Sequence, residues 1–180
     1  MKVAVFGGAN AHPGEPDYDQ ALLLGAGLAR SGHMVMTGGY IGVMEAVSKG
    51  AAEVGGHVIG VTCDEIEAFR PIKPNKWVKE EWRFISLSER MMNLINRCDA
   101  AVALPGGVGT LAEISVLWNQ MLVHAVPKKP AILVGDGWKE IVDCFFTAQN
   151  NYIAPQDHEL LAYAPDIQTA LEFLNGAHHS

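Results

Sequence analysis

The chain has 180 residues, 49% of them hydrophobic, and a formal net charge of −7. That length suits one well-cored domain spanning residues 1–180, and the composition excludes a disordered chain. The acidic balance leaves no basic excess to displace counterions, which argues against nucleic acid or an anionic membrane as a partner, and no apolar run reaches the roughly 18 residues of a membrane helix.

The opening KVAVFGG (2–8) reads as a buried strand ending in glycine. Its apolar run is too short for the core of a signal peptide, so a cytoplasmic location is expected. A polar loop rich in turn residues follows, then a helix over 18–32 with Gly32 as its C-terminal cap. Residues 33–39 (HMVMTGG) form a second predicted strand, 42–56 a second helix and 57–62 (HVIGVT) a third strand. The stretch 63–80, with FRPIKPN inside it, is irregular and is read as an insertion or lid. WRFIS (82–86) is a short strand and SERMMNLINRC (88–98) a helix. DAAVALPGG (99–107) runs from strand into glycine loop, and TLAEISVLWNQMLV (110–123) is the helix after it. A strand at 130–137, a helix at 139–151 and a last helix at 165–176 complete the pattern.

Strands that are apolar throughout and separated by helices imply a parallel sheet covered on both faces, a doubly wound Rossmann-like α/β fold. Ligands of such sheets bind at the carboxyl ends of the strands. Three strands end in glycine pairs, Gly7-Gly8, Gly38-Gly39 and Gly106-Gly107, which suggests close approach of backbone to a ligand. Cys63, Cys98 and Cys144 are far apart in apolar surroundings and are expected to be reduced, buried thiols.

The segment PGGVGTLAE (105–113) carries most of the chemistry. Unpaired N–H groups and the macrodipole at a helix N-terminus, reached through glycines, make a phosphate site that needs no lysine. The GK[ST] ending of a P-loop is absent, and Gly107, Gly109 and Ala112 match the dinucleotide fingerprint only weakly, with no acidic residue at the right distance. Glu113 is open to two readings. Thr110 to Glu113 has capping-box spacing, as does Ser86 to Glu89. Alternatively, the phosphate occupies the loop while Glu113 faces the adjoining sugar, where a carboxylate stabilises an oxocarbenium-like carbon or activates water.

These motifs resemble the LONELY GUY family of cytokinin-activating phosphoribohydrolases, whose PGGxGTxxE signature PGGVGTLAE matches. SERMMNLINRCDAAVALPGG is similar to the family's arginine-bearing helix, TGGYIGVMEAVSKGAAEVGGHVIGV to its GGxxGxM unit, and VAVFGGAN to its first strand and loop. The resemblance covers residues 2 to 150 and implies hydrolysis of a nucleoside 5′-monophosphate to free base and ribose 5-phosphate. It implies Arg90 and Glu113 as the catalytic pair, Gly106, Gly107, Gly109 and Thr110 as the phosphate loop, and Gly8, Gly39, Gly42 and Met44 as the nucleotide site. An arginine stays protonated at any working pH, so Arg90 orients or stabilises charge and does not supply protons. The chain departs from the family pattern at Met91, where a lysine is common, at Tyr40, where a third glycine is common, and in its GGAN loop. Less similar relatives include a molybdenum-cofactor carrier, which defines the alternative: a binding protein that need not cleave its ligand.

Neither a cofactor nor a metal is expected. Lys49, Lys128 and Lys139 lie in surface-like contexts away from the glycine loop, which disfavours a pyridoxal Schiff base. The histidines form no HxxH pair; His33 and His57 read as structural, and His178 and His179 as a frayed tail. Helix 110–123 is apolar on more than one face, through Leu111, Ile114, Leu117, Trp118, Met121 and Leu122. Its second face meets either the C-terminal segment or another subunit, and the resemblance implies a homodimer. The stretch 63–80, with Trp77 and Trp82 nearby, is a candidate to cover the base.

Overall fold

A computed structural model describes residues 1–177 and shows seven strands in one parallel sheet. The elements alternate along the chain: β1 (Lys2–Phe6), α1 (Pro16–Arg30), β2 (Met34–Thr37), α2 (Val43–Glu53), β3 (Val58–Cys63), α3 (Asp64–Phe69), β4 (Glu80–Phe84) and α4 (Leu87–Asn96). They continue as β5 (Ala100–Ala103), α5 (Val108–Leu122), β6 (Ala131–Val134), α6 (Asp136–Ala148), α7 (Pro155–His158), β7 (Ala162–Ala164) and α8 (Ile167–Ala177). Strand order is β4-β3-β2-β1-β5-β6-β7, so the winding reverses between β1 and β5. That reversal opens a crevice at the carboxyl ends of the two central strands.

The central strands are buried on both faces, which is why they are mostly apolar, whereas the edge strand β4 carries Glu80, Glu81 and Arg83 at exposed positions. In β1, Val3 and Val5 join Leu24, Leu28, Val47 and Leu174 in one core, whereas Ala4 and Phe6 join Leu94, Ile114, Leu117 and Trp138 in the other. The period-2 alternation of a strand divides its side chains between the two layers. α1 and α2 press together with unusual closeness. A Cβ at Gly25 would lie 2.0 Å from the Val47 carbonyl oxygen, and one at Gly50 equally close to that of Leu22. Only glycine permits this contact.

Four elements differ from the sequence reading. The stretch 63–80 contains α3, β4 begins at Glu80, and the C-terminal segment adds α7 and β7. Cys63 and Cys98 are buried as expected, but Cys144 on α6 is exposed, because it lies on the solvent side of a helix that buries only Trp138 and Val142. The second face of α5 is divided: Trp118 donates to the Asp157 carbonyl and packs on Phe146, while Leu111 and Leu122 remain exposed. Among the described residues no helix is long and apolar enough to cross a membrane. The expectation for His178 and His179 lies outside those residues.

Candidate active site

At the carboxyl ends of β1, β2 and β5 lies a cavity of about 680 Å³. One wall is the turn after β1, where the Gly8 amide donates to the Pro105 carbonyl at 3.0 Å. The loop after β5 packs directly on that turn: a Cβ at Gly106 would lie 2.2 Å from the Thr110 hydroxyl oxygen and 2.9 Å from the Gly8 nitrogen. Gly107 is the N-cap residue of α5 and carries no side-chain cap, so the first amides of that helix are left to other partners. A Cβ at Gly107 or Gly109 would meet nothing within 4 Å. The four expected phosphate-loop positions Gly106, Gly107, Gly109 and Thr110 all line the cavity, as do Gly8 and Met44 of the expected nucleotide site.

Gly39 and Gly42 do not line it, contrary to the sequence reading. They serve the backbone. Gly42 (φ 69°) sits so tightly against the first loop that a Cβ would be 2.5 Å from the Ala9 carbonyl carbon, and the Gly39 carbonyl accepts from Asn75. Trp77 and Trp82 are also elsewhere. Arg97 and Lys2 lie over the Trp82 ring at the edge of the sheet, where β4 is the terminal strand. The roof of the cavity is formed by Ile66, Phe69, Arg70 and Ile72, from α3 and the chain after it, all within the 63–80 stretch read as a cover.

Arg90 and Glu113 are brought to the same cavity from two adjacent helices. α4 starts with a complete capping box, in which the Ser86 hydroxyl accepts from the Glu89 amide at 3.1 Å and Glu89 accepts from the Ser86 amide at 3.2 Å. One residue further on, Arg90 turns inward and is buried. Its Nε donates to the Val61 carbonyl at 2.7 Å, an Nη lies 3.9 Å from the Met44 sulfur, and its guanidinium stands 5.8 Å from the centre of the Tyr40 ring. Space for it exists because residue 38 is glycine; a Cβ there would come within 1.9 Å of the guanidinium. The sequence marked Gly38 as part of a glycine pair and Tyr40 as a departure from the family pattern, but not that both act through Arg90.

Glu113 has the same spacing from Thr110 as Glu89 has from Ser86, yet it is not a capping residue. α5 begins at Val108, which places Glu113 inside the helix, where its carboxylate accepts no hydrogen bond among the described residues. Burial pushes its pKa from 4.5 up to about 7, and the Arg90 charge opposes that rise. The site therefore places the uncapped N-terminus of α5 beside a carboxyl group whose pKa is raised to about 7.

Such a crevice, with a glycine loop opening a helix at the reversal of a parallel sheet, defines a protein of Rossmann-like fold with a site for a phosphorylated ligand. Residues 44–174 match the family model described as "Possible lysine decarboxylase", and the chain belongs to this family, which is the LONELY GUY family of the motifs. It is 34% identical over 170 residues to "Probable cytokinin riboside 5'-monophosphate phosphoribohydrolase LOGL9" of Oryza sativa subsp. japonica, covering 92% of this chain and 73% of that one. Identity to "Cytokinin riboside 5'-monophosphate phosphoribohydrolase LOG3" of Arabidopsis thaliana is 30% over 173 residues, 91% and 77% of the two chains. Among solved structures, the molybdenum cofactor binding protein of Rippkaea orientalis superposes with a TM-score of 0.77 at 23% identity, covering 98% and 96% of the chains. The Moco carrier protein of Chlamydomonas reinhardtii gives 0.72 at 27%, with 97% and 95% covered.

Proposed function

We propose that the protein hydrolyses the N-glycosidic bond of a nucleoside 5′-monophosphate, releasing the free base and ribose 5-phosphate. The observation that carries this reading is the Glu113 carboxyl, which accepts no hydrogen bond among the described residues and shares its cavity with the glycine loop. The 5′-phosphate sits on the amides of residues 106–110, with Thr110 beneath them, and Gly8 and Met44 border the rest of the nucleotide. As the bond from C1′ to the base breaks, its electron pair goes to the base nitrogen and positive charge grows on the sugar. Ionised Glu113 stabilises that charge and takes a proton from the water whose oxygen bonds to C1′. The base nitrogen gains a proton, so one water is consumed and its two hydrogens end on product and base. With a pKa of about 7, Glu113 both accepts and returns a proton near neutrality. Arg90, fixed by Val61 and Met44, orients the ligand, and its charge favours the ionised form of Glu113 against the effect of burial.

A decarboxylase dependent on pyridoxal phosphate, as the family model's description suggests, does not fit: no lysine lines the cavity among the described residues. Two further parts of the reading concern assembly and location. Exposed Ile85, Leu87, Val108 and Leu111, at the starts of α4 and α5, supply apolar surface for a homodimer. Three free cysteines accord with a reducing cytoplasm.

The test is incubation of purified protein with AMP and related monophosphates, following free base by chromatography. Base released by the wild type and lost in Glu113→Gln supports the hydrolase. The carrier likeness of the solved structures supplies a second reading. No base from any monophosphate, together with a phosphorylated pterin that copurifies, favours that one.

A further inference from the structure

Tyr40 stands where the resemblance leads one to expect a third glycine. It is one of the largest fully buried side chains, 1% exposed, and it touches two things that matter to the cavity. The face of its ring carries the Arg90 guanidinium, 5.8 Å from the centroid. Its hydroxyl accepts from the Cys63 amide at 2.9 Å and reaches the Cys63 carbonyl at 3.1 Å and a Glu67 carboxylate oxygen at 3.3 Å. Those groups belong to the junction of β3 with α3, and Glu67 is held in turn by a two-pronged bond from Arg83, both distances 2.9 Å. The segment after the roof is tied to the same place, because Asn75 donates to the carbonyls of Gly39 and Tyr40 at 3.0 and 2.9 Å.

One residue thus joins the buried arginine to the roof. Among the described residues the Arg90 side chain has a single hydrogen bond to oxygen, from its Nε, and an outer nitrogen meets the Met44 sulfur. The Tyr40 ring is the broad surface that keeps the guanidinium plane from rotating, an interaction that strengthens when water is excluded. A glycine at position 40 would remove both that surface and the anchor of α3.

We infer that Tyr40 is a positioning residue: its ring holds Arg90 toward Glu113, and its hydroxyl fixes the roof helix over the ligand. The inference rests on the hydrolase reading for its kinetic arm alone. Tyr40→Leu removes ring and hydroxyl, and Tyr40→Phe removes the hydroxyl only; Tyr40→Met replaces the leucine variant should that one not fold. Titration of Glu113 by carbon NMR of its carboxyl group is read beside kcat and KM. In Tyr40→Leu the Arg90 charge moves away, so the Glu113 midpoint rises by about half a pH unit or more, and kcat falls about tenfold. Tyr40→Phe keeps the wild-type midpoint, and its loss appears as a severalfold higher KM from a looser roof. An unchanged midpoint in folded Tyr40→Leu, or an equal shift in both variants, overturns the assignment. If the wild type releases no base, the hydrolase reading has failed, and the titration still decides the role of Tyr40.

Discussion

Replacing Glu113 by glutamine should stabilise the protein while silencing it. The folded chain holds this carboxyl at a pKa of about 7, against 4.5 for the group in water. Between those values the native chain carries a proton that the unfolded chain has lost, so stability falls as pH rises through the interval. Above pH 7 both forms are ionised and the loss is complete; the difference of about 2.5 in pKa corresponds to about 3 kcal/mol. Below pH 4.5 both forms are protonated and the contribution vanishes. Glutamine abolishes the ionisation and leaves a neutral amide with little to bond to, which returns about 1 kcal/mol of cost. The net gain at pH 8 is therefore about 2 kcal/mol, or about 4–8 °C in Tm for a chain of this size. Melting curves of both proteins from pH 4 to 9 read this directly. Their separation should widen with pH and level off above 7. A separation that is constant with pH would mean that Glu113 is ionised and solvated in the fold, and the burial argument would go with it.

Other substitutions separate packing from ligand contact. Gly107→Ala points a methyl into open space, so Tm should stay near wild type while KM for the monophosphate rises; Gly106→Ala, which meets Thr110 and Gly8, should lower both Tm and affinity. Binding of ribose 5-phosphate by calorimetry and differential scanning of the same samples distinguish the two. Ser86→Ala removes the cap of α4 and should cost about 1 kcal/mol in urea unfolding. Gly25→Ala forces α1 away from the Val47 carbonyl and should cost about 1–3 kcal/mol by the same measurement, with kcat little changed.

The parallel sheet was readable because β1, β2, β3, β5 and β6 are almost wholly apolar, with Lys2, Thr37 and Thr62 the polar positions, and a sheet covered on both sides needs that. β7 is three residues long and only partly buried, too short to show a period, and α3 buries none of its residues and opens with three acids, so no apolar stripe announces it. The glycine loop was legible for the same reason as the strands: local chemistry dictates it. Glu113 was not. Ser86 and Thr110 present the same spacing to an acid, and what separates the two cases is where each helix starts. For α5 that start is set by Gly106 lying against Gly8, a contact between residues almost a hundred positions apart. Gly39 and Gly42 misled in the opposite sense, since a motif glycine marks tight backbone as readily as it marks a ligand.

The backbone contact between α1 and α2 bears on how such a protein diversifies. Gly25 and Gly50 admit no enlargement, so the side of the molecule carrying the first loop behaves as a fixed anvil. Across the crevice, α3 contributes nothing to the core, and Ile66, Phe69 and Ile72 can be exchanged without disturbing the layers beneath. Descendants of this chain can acquire new ligand preferences by point changes in that cover alone, while the anvil is inherited unaltered.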